Sequence, residues 1–363
     1  MPNSGFFITL YNVDTLNLYL DRGLYGFLMS PVFGGVSSRS NHYAALADYS
    51  CGREGTHVFF FLKRQIVYGG QLEGSKHFGS YYLNGQYCPM GRAVKAPLTW
   101  DESRRSCYEA TESNGIFKVT TQSGEVDRCQ PYLIRFNDRL GLRGQTISSD
   151  ELYFELGSYS YPLPSNAIQG MSFCTLTPRE VDILLTKMKE SRENIFKETR
   201  EKIMLSGEPL LFNPDFGIQN YHEASSESHL EASILANPKL FPEVLRPDEN
   251  WCLCRQIPIS PFKPSQMDRA DIVFFTDNLI ADGTIPNKII ELKLRTAGKN
   301  EAEQIVRYVR WLRKIVPKDW EEIEFYLYAP SFTRNIQDHL PHELRYKIKL
   351  VPFQRVTRRL DDF

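Results

Sequence analysis

The sequence contains no CxxC pair, no run near the ~20 apolar residues of a membrane span, no internal repeat and no low-complexity tract. Its seven cysteines, Cys51, Cys88, Cys107, Cys129, Cys174, Cys252 and Cys254, are odd in number and scattered. That pattern gives no sign of a disulfide framework, and no second pair joins Cys252 and Cys254 to complete a zinc set. The expectation is reduced, structural thiols in a cytoplasmic protein. The opening segment MPNSGFFITLYNVD lacks a basic stretch ahead of an apolar run, so no signal peptide is expected. An excess of one charge is also missing, with 43 basic against 44 acidic side chains. Balance of this kind neither supports nor excludes nucleic acid, which is met by a local basic face rather than by the total.

What is present is ample apolar material. The 363 residues are 42% hydrophobic and 13% aromatic, enough for sizeable cores and for about two domains. Residues 1–175 read as β-rich and barrel-like. The apolar run His57-Val-Phe-Phe-Phe-Leu62, Ile66 to Tyr68, Gly115 to Thr120, Pro131 to Phe136 and Leu152 to Leu156 are strand patterns separated by Gly and Pro. A helix is predicted to begin at Thr177-Pro178, with Thr177 as N-cap, Pro178 at the first helical position and Glu180 closing a capping box. It opens a helical connector over 176–222. From 223 to 363 the pattern becomes α/β: a helix over Glu227 to Leu235, strands near Trp251–Ile259, Ala270–Thr276 and Lys288–Leu294, a helix over Asn300–Ile315, and a strand at Glu324–Ala329. The predicted class is α+β.

Two of these strands carry chemistry. Glu291 and Lys293 are two apart, so in a strand they project from one face, while Leu292 between them turns to the core. Asp271 lies twenty positions upstream at the start of an apolar run, where it can meet them from a neighbouring strand. Two carboxylates offer the oxygen ligands that Mg²⁺ prefers, with Mn²⁺ as a substitute. A lysine beside them can orient water or stabilise negative charge developing on a phosphoryl oxygen. An ordinary cross-strand ion pair would also account for ExK alone. On the following helix Gln304 and Tyr308 are four apart and share a face.

These pieces resemble the NucS/EndoMS-type endonuclease domain, a PD-(D/E)xK nuclease. Ser226-Glu227-Ser-His-Leu230 with Ala236-Asn237-Pro238 resembles its opening acidic helix, Arg269-Ala-Asp271-Ile272 its Asp-bearing strand, and Ile290-Glu291-Leu-Lys293 its ExK strand. Gln304 with Tyr308 is similar to the QxxxY feature shared with RecB-like nucleases. The resemblance spans roughly residues 226 to 316 and implies a restriction-endonuclease-like fold. It also implies Glu227, Asp271 and Glu291 as the metal-binding acids, Lys293 as the catalytic lysine, and Gln304 and Tyr308 as auxiliary residues. Two departures stand out: the segment Asp277 to Asn287 is a long insert, and Glu231 competes with Glu227 one turn along the same helix.

The N-terminal half is read as the source of specificity. Ala45 to Leu72, with a Gly-bounded turn, an apolar strand, the basic tip Lys63-Arg64 and a strand ending in Gly-Gly, resembles the PUA-like and EVE domains that bind modified or flipped bases. That resemblance implies base stacking on aromatics; the candidates are Phe78, Tyr81, Tyr82, Tyr87 and Trp100, near Arg92 and Lys95. For any single one of them, core or loop packing is the plainer reading. Phosphate contacts are expected from a stripe of Arg307, Arg310, Arg313 and Lys314, and from Arg355, Arg358 and Arg359 near the C-terminus. The sequence thus leads to a Mg²⁺-dependent endonuclease acting on double-stranded DNA, in a restriction system and with modified-base dependence as one form, working as a homodimer away from membranes. The alternatives are a mismatch-directed repair endonuclease and a non-catalytic nucleic-acid-binding protein with a nuclease-like fold.

Overall fold

In a computed structural model of the chain, the residues described are 3–10, 23–30, 36–74, 79–83, 98–101, 106–109, 116–121, 123–137, 146–148, 174–190, 226–236, 241–246, 250–260 and 268–353, with isolated positions between them. The first half forms β1 (Gly5–Thr9), β2 (Leu24–Tyr25), α1 (Val36–Ser50), β3 (His57–Leu62), β4 (Gln65–Glu73), β5 (Tyr82–Leu83), β6 (Leu98–Asp101), β7 (Ser106–Glu109), β8 (Ile116–Thr121), β9 (Gly124–Cys129), β10 (Tyr132–Asn137), β11 (Ile147–Ser148) and β12 (Cys174–Leu176). The main sheet runs β12-β1-β3-β4-β10-β2, with β11 on β4 and β5 on β10, while β6–β7 and β8–β9 pair separately.

The continuous apolar run of β3 is explained by burial on both faces. Phe59 and Phe61 pack with Val181, Leu184 and Met188 of the next helix, and Val58, Phe60 and Leu62 face the larger core. Lys63 and Arg64 both have positive φ, 48° and 65°, which makes the tight two-residue turn between β3 and β4. α2 (Pro178–Glu190) starts as the sequence predicts: Glu180 Oε2 accepts from the Thr177 N–H at 2.8 Å, and the Glu180 N–H donates to Thr177 Oγ1 at 3.3 Å.

In the second half α3 (Glu227–Ala236) precedes β13 (Trp251–Ser260), β14 (Asp268–Thr276) and β15 (Lys288–Leu292); then come α4 (Lys299–Ile315), β16 (Glu324–Ala329) and β17 (Ile348–Pro352). The sheet order is β13-β14-β15-β16-β17. β13, β14 and β15 are antiparallel, and β15, β16 and β17 parallel. A parallel step needs a crossover, and α4 supplies it. Its Ile305, Val309 and Leu312 bury against Val273, Ile289 and Leu327 on one face of the sheet. On the other face Ile272, Phe274, Ile290 and Tyr328 join Leu230 and Ile234 of α3 and Leu46 and Phe60 of the first half in one continuous core.

That shared core is crossed by a buried ion cluster. Arg255 of β13 grips Glu231 of α3 through Nε at 2.8 Å and Nη2 at 2.7 Å, and its Nη1 bonds Asp48 of α1. Arg53 adds three donations to helix ends, to the Ser50 and Gly52 carbonyls at 2.6 and 3.0 Å and to Leu235 at 2.8 Å. Tyr43 and His229 stack with centroids 3.7 Å apart. The insert at 277–287 seats on the start of α2: Arg179 pairs with Asp282 at 3.8 Å. Gly283, at φ +84°, comes so near Pro178 that a Cβ would stand 2.8 Å from its Cβ.

Three expectations change. Among the described residues the first sheet is an open path and not a barrel, because β12 and β2 end it without pairing. α1 is a helix ahead of β3, in a region read as β-rich. Its apolar Tyr43, Leu46 and Tyr49 and its polar His42, Asp48 and Ser50 are all buried, so no amphipathic stripe marks it. Within the expected strand Leu152–Leu156 only Phe154 is described, and its backbone is helical. The connector from 191 to 223 lies outside the described residues.

Candidate active site

Asp271 and Glu291 face each other across β14 and β15, one step beyond the registered pair Ile272–Ile290. Each acid is held by different groups. Asp271 Oδ2 accepts from the Leu292 backbone N–H at 2.8 Å, and Oδ1 accepts from the Gln256 side-chain amide at 3.0 Å. Glu291, only 1% exposed, accepts from Lys293 Nζ at Oε1, 2.7 Å. Its Oε2 lies 3.3 Å from the Tyr308 hydroxyl. That hydroxyl also donates to the Arg269 carbonyl at 2.9 Å and accepts from the Gln304 amide at 2.7 Å. The i, i+2 spacing of the strand and the i, i+4 spacing of α4 thus converge on one carboxylate.

Burial pushes the Glu291 carboxyl up to about 8, with the neighbouring Asp271 adding to the rise and Lys293 and Tyr308 opposing it. For Lys293 burial works against the charge, but Glu291, Asp271 and Glu227 together carry its ammonium well above the ordinary lysine range. The Tyr308 hydroxyl is likewise raised, first by burial and then by the Glu291 charge. The result is a cation fixed over a crowded acidic pair, the kind of perturbation that marks sites of chemistry.

Glu227 sits at the edge of this group, its Oε1 3.4 Å from the Leu294 N–H. Glu231, its rival in sequence, is consumed by the Arg255 ion pair. Gln304 and Tyr308 act on Glu291 and not directly on Lys293. Arg307 bonds Asp268 at 2.8 and 3.3 Å, and Arg310 is exposed. Tyr81 is buried and meets Tyr132 edge-on, so it is packing and not a base-stacking surface. Tyr82 and Trp100 lie in β5 and β6; their side chains, and Phe78, Tyr87, Arg92, Lys95, Arg355, Arg358 and Arg359, fall outside the described residues.

Sequence reasoning missed Gln256. It stands opposite Asp271, where the pairs Arg255–Ile272 and Ile257–Ala270 leave a gap in the ladder, and its φ is +52°. A non-glycine residue held there stores strain of about 1–3 kcal/mol. Nothing in the alternation of β13 signals this.

The acids are oxygen donors only, which suits a hard cation such as Mg²⁺ or Mn²⁺. The raised Glu291 carboxyl beside Asp271 reflects like charges in a buried place, a cost that a cation between them would relieve. These two residues therefore fit a divalent ion. Among the described residues no three His, Cys, Asp or Glu side chains gather in a group that could hold one, and Glu227 bonds backbone instead of completing the pair.

No known protein family matches the sequence, and no curated protein matches it. Three solved structures are similar. A repair endonuclease from Pyrococcus abyssi shares 23% identity over 36% of this chain and 48% of its own, with a TM-score of 0.25. EndoMS in its apo form shares 20% over 37% and 49%, also at 0.25. An EndoMS–dsDNA complex shares 11% over 93% and 99%, at 0.26. The chain spans about half the length of the first two.

Proposed function

We propose that this chain is a metal-dependent endonuclease that hydrolyses phosphodiester bonds of double-stranded DNA. The observation that carries the reading is the single cluster in which Asp271, Glu291 and Lys293 meet, with the Tyr308 hydroxyl against the Glu291 carboxylate and Gln304 bonded to that hydroxyl. A surface ion pair would need neither the burial nor the two supporting residues.

In this reading Asp271 and Glu291 would hold the ion, with Glu227 the third acid within reach of the strand end. A bound Mg²⁺ supplies Lewis-acid polarisation of the phosphoryl oxygen and a more acidic water. The chain does the rest. The Leu292 N–H and Gln256 fix the Asp271 oxygens, and Tyr308 with Gln304 fixes Glu291. Lys293, kept charged by its acidic neighbours, lies where negative charge develops on the scissile phosphate. Such preorganised second contacts are worth about 10–100-fold in metal affinity or activity.

The role that the cutting serves, restriction or mismatch repair, rests on the N-terminal half, which is proposed to read the DNA. One active site per chain favours a homodimer for cutting both strands. The test is digestion of unmodified, methylated, hydroxymethylated and mismatched duplexes with Mg²⁺ by wild type and Lys293→Ala. Cleavage of one class, lost in the variant, supports the reading and assigns the role. DNA binding without cleavage of any duplex would leave a non-catalytic binding protein.

A further inference from the structure

α4 carries a second feature that the active site does not use. Beside it lies a cavity of about 540 Å³ whose lining among the described residues is Arg307, Arg310, Arg313 and Lys314. Four cations on one wall repel one another unless something neutralises them, and two of the four are already committed. Arg307 is held by Asp268, and the Arg313 guanidinium lies over the Trp320 ring, 5.0 Å from its centroid. Arg310 and Lys314 are exposed, with no carboxylate partner among the described residues. Being four apart, they stand one above the other on the helix.

The location matters as much as the charge. Arg307 precedes Tyr308, and its anchor Asp268 precedes Arg269, whose carbonyl accepts the Tyr308 hydroxyl. The basic wall therefore begins beside Glu291 and runs from 307 to 314 along α4, ~10 Å at 1.5 Å per residue. That is about three steps of a B-form strand at ~3.4 Å each. A discrete small anion would need one convergent cradle; this is an open, linear row.

We infer that this groove is a phosphodiester-binding track in which Arg310 and Lys314 neutralise backbone phosphates of the DNA strand leaving the Asp271–Glu291–Lys293 site, while Arg307 and Arg313 frame it. The inference rests on the nuclease reading for the position of the scissile phosphate, but it concerns binding alone. The track reads no bases, because phosphate contacts set register and orientation without carrying sequence. It also gives a strand extending from the site a defined direction along α4.

The test is anisotropy of a labelled duplex with the full chain in EDTA, over a salt series, for wild type, Arg310→Ala, Lys314→Ala and the double variant. Each single change should weaken binding roughly threefold or more and make the slope of log affinity against log salt shallower by about 0.9; the double variant should lose about 1.8. Arg310→Lys, which keeps the charge, should retain the wild-type slope, and melting temperatures should stay unchanged at these exposed positions. Variants that keep the wild-type slope, or a wild type that does not bind duplex, overturn the track. So does tripolyphosphate that binds the wild type without displacing duplex, which would make the groove a site for a free anion. Cleavage with an unaltered slope refutes only the track, whereas altered slopes without cleavage of any duplex refute only the nuclease reading.

Discussion

Arg255 holds Glu231 with two parallel hydrogen bonds, from Nε at 2.8 Å and from Nη2 at 2.7 Å, while its third arm reaches Asp48 on a helix of the other half of the chain. All three side chains are buried. Burial raises the Glu231 carboxyl and the Arg255 charge opposes it, while the arginine itself, resisted by burial, is held firmly charged by the two acids. The cluster is adjacent in sequence to Gln256, which holds Asp271. The joint between the two halves and the support of the candidate site are therefore one piece of β13.

Breaking this joint should destabilise the whole chain. Arg255→Met takes the arginine charge away from two buried acids, and the expected loss is about 3–5 kcal/mol, read from urea denaturation. A change under ~1 kcal/mol would mean that water reaches the acids and that the halves do not depend on the cluster.

Gln256→Ala removes the bond to Asp271 Oδ1 while leaving both acids and Lys293. Mg²⁺-dependent cleavage should fall about 10–100-fold, with the fall in kcat exceeding any change in KM for DNA. Gln256→Glu should not restore it, since a carboxylate cannot donate to Asp271. Wild-type turnover in Gln256→Ala would reduce the residue to a strained bystander.

The support of the strands that carry Asp271 and Glu291 was harder to read in the sequence than the acids themselves. Asp271, Glu291, Lys293, Gln304 and Tyr308 lie at strand and helix periods, and the structure brings them to one place. Gln256 and Arg255 lie in an apolar strand where alternation says only that a strand exists. What distinguishes them, a left-handed backbone at a ladder gap and a partner more than two hundred positions away at Asp48, arises from tertiary packing. α1 escaped for a different reason: from His42 to Ser50 its apolar and polar side chains are buried alike apart from half-buried Ala44, so no polar face sets its period. The pairing of Glu231 with Arg255 likewise joins residues from different elements, which the spacing of Glu227 and Glu231 along one helix does not show.

The α2 cap gives a prediction in pH. Burial lifts the Glu180 carboxyl to about 8, against the opposing hydrogen bonds from Thr177. The folded state thus holds a proton that the unfolded state releases near ~4.3. Its contribution is fully present below that value and is lost as pH rises through about 8. Glu180→Gln keeps the capping geometry but cannot titrate. Its denaturation midpoint should therefore decline less steeply than the wild type's between roughly pH 5 and pH 8, with the raised Glu291 still titrating in both proteins. Parallel profiles for the two proteins would place the titration elsewhere.

Tyr308→Phe removes the hydroxyl that links the Glu291 carboxylate, the Arg269 carbonyl and Gln304. The ring stays buried, so the fold should persist, with a cost of about 1–3 kcal/mol for the groups left unpaired. Cleavage should drop more than affinity for DNA, because the hydroxyl orients an acid and touches no phosphate. Equal losses in both would place Tyr308 on the DNA.

The claim that Asp271 and Glu291 form the ion-binding pair of a nuclease is tested most directly by single-turnover DNA cleavage in Mg²⁺ by Asp271→Asn, beside its duplex affinity in EDTA and its melting curve. The account predicts a folded protein that binds duplex like the wild type and does not cut it. Cleavage by Asp271→Asn at the wild-type rate would contradict it.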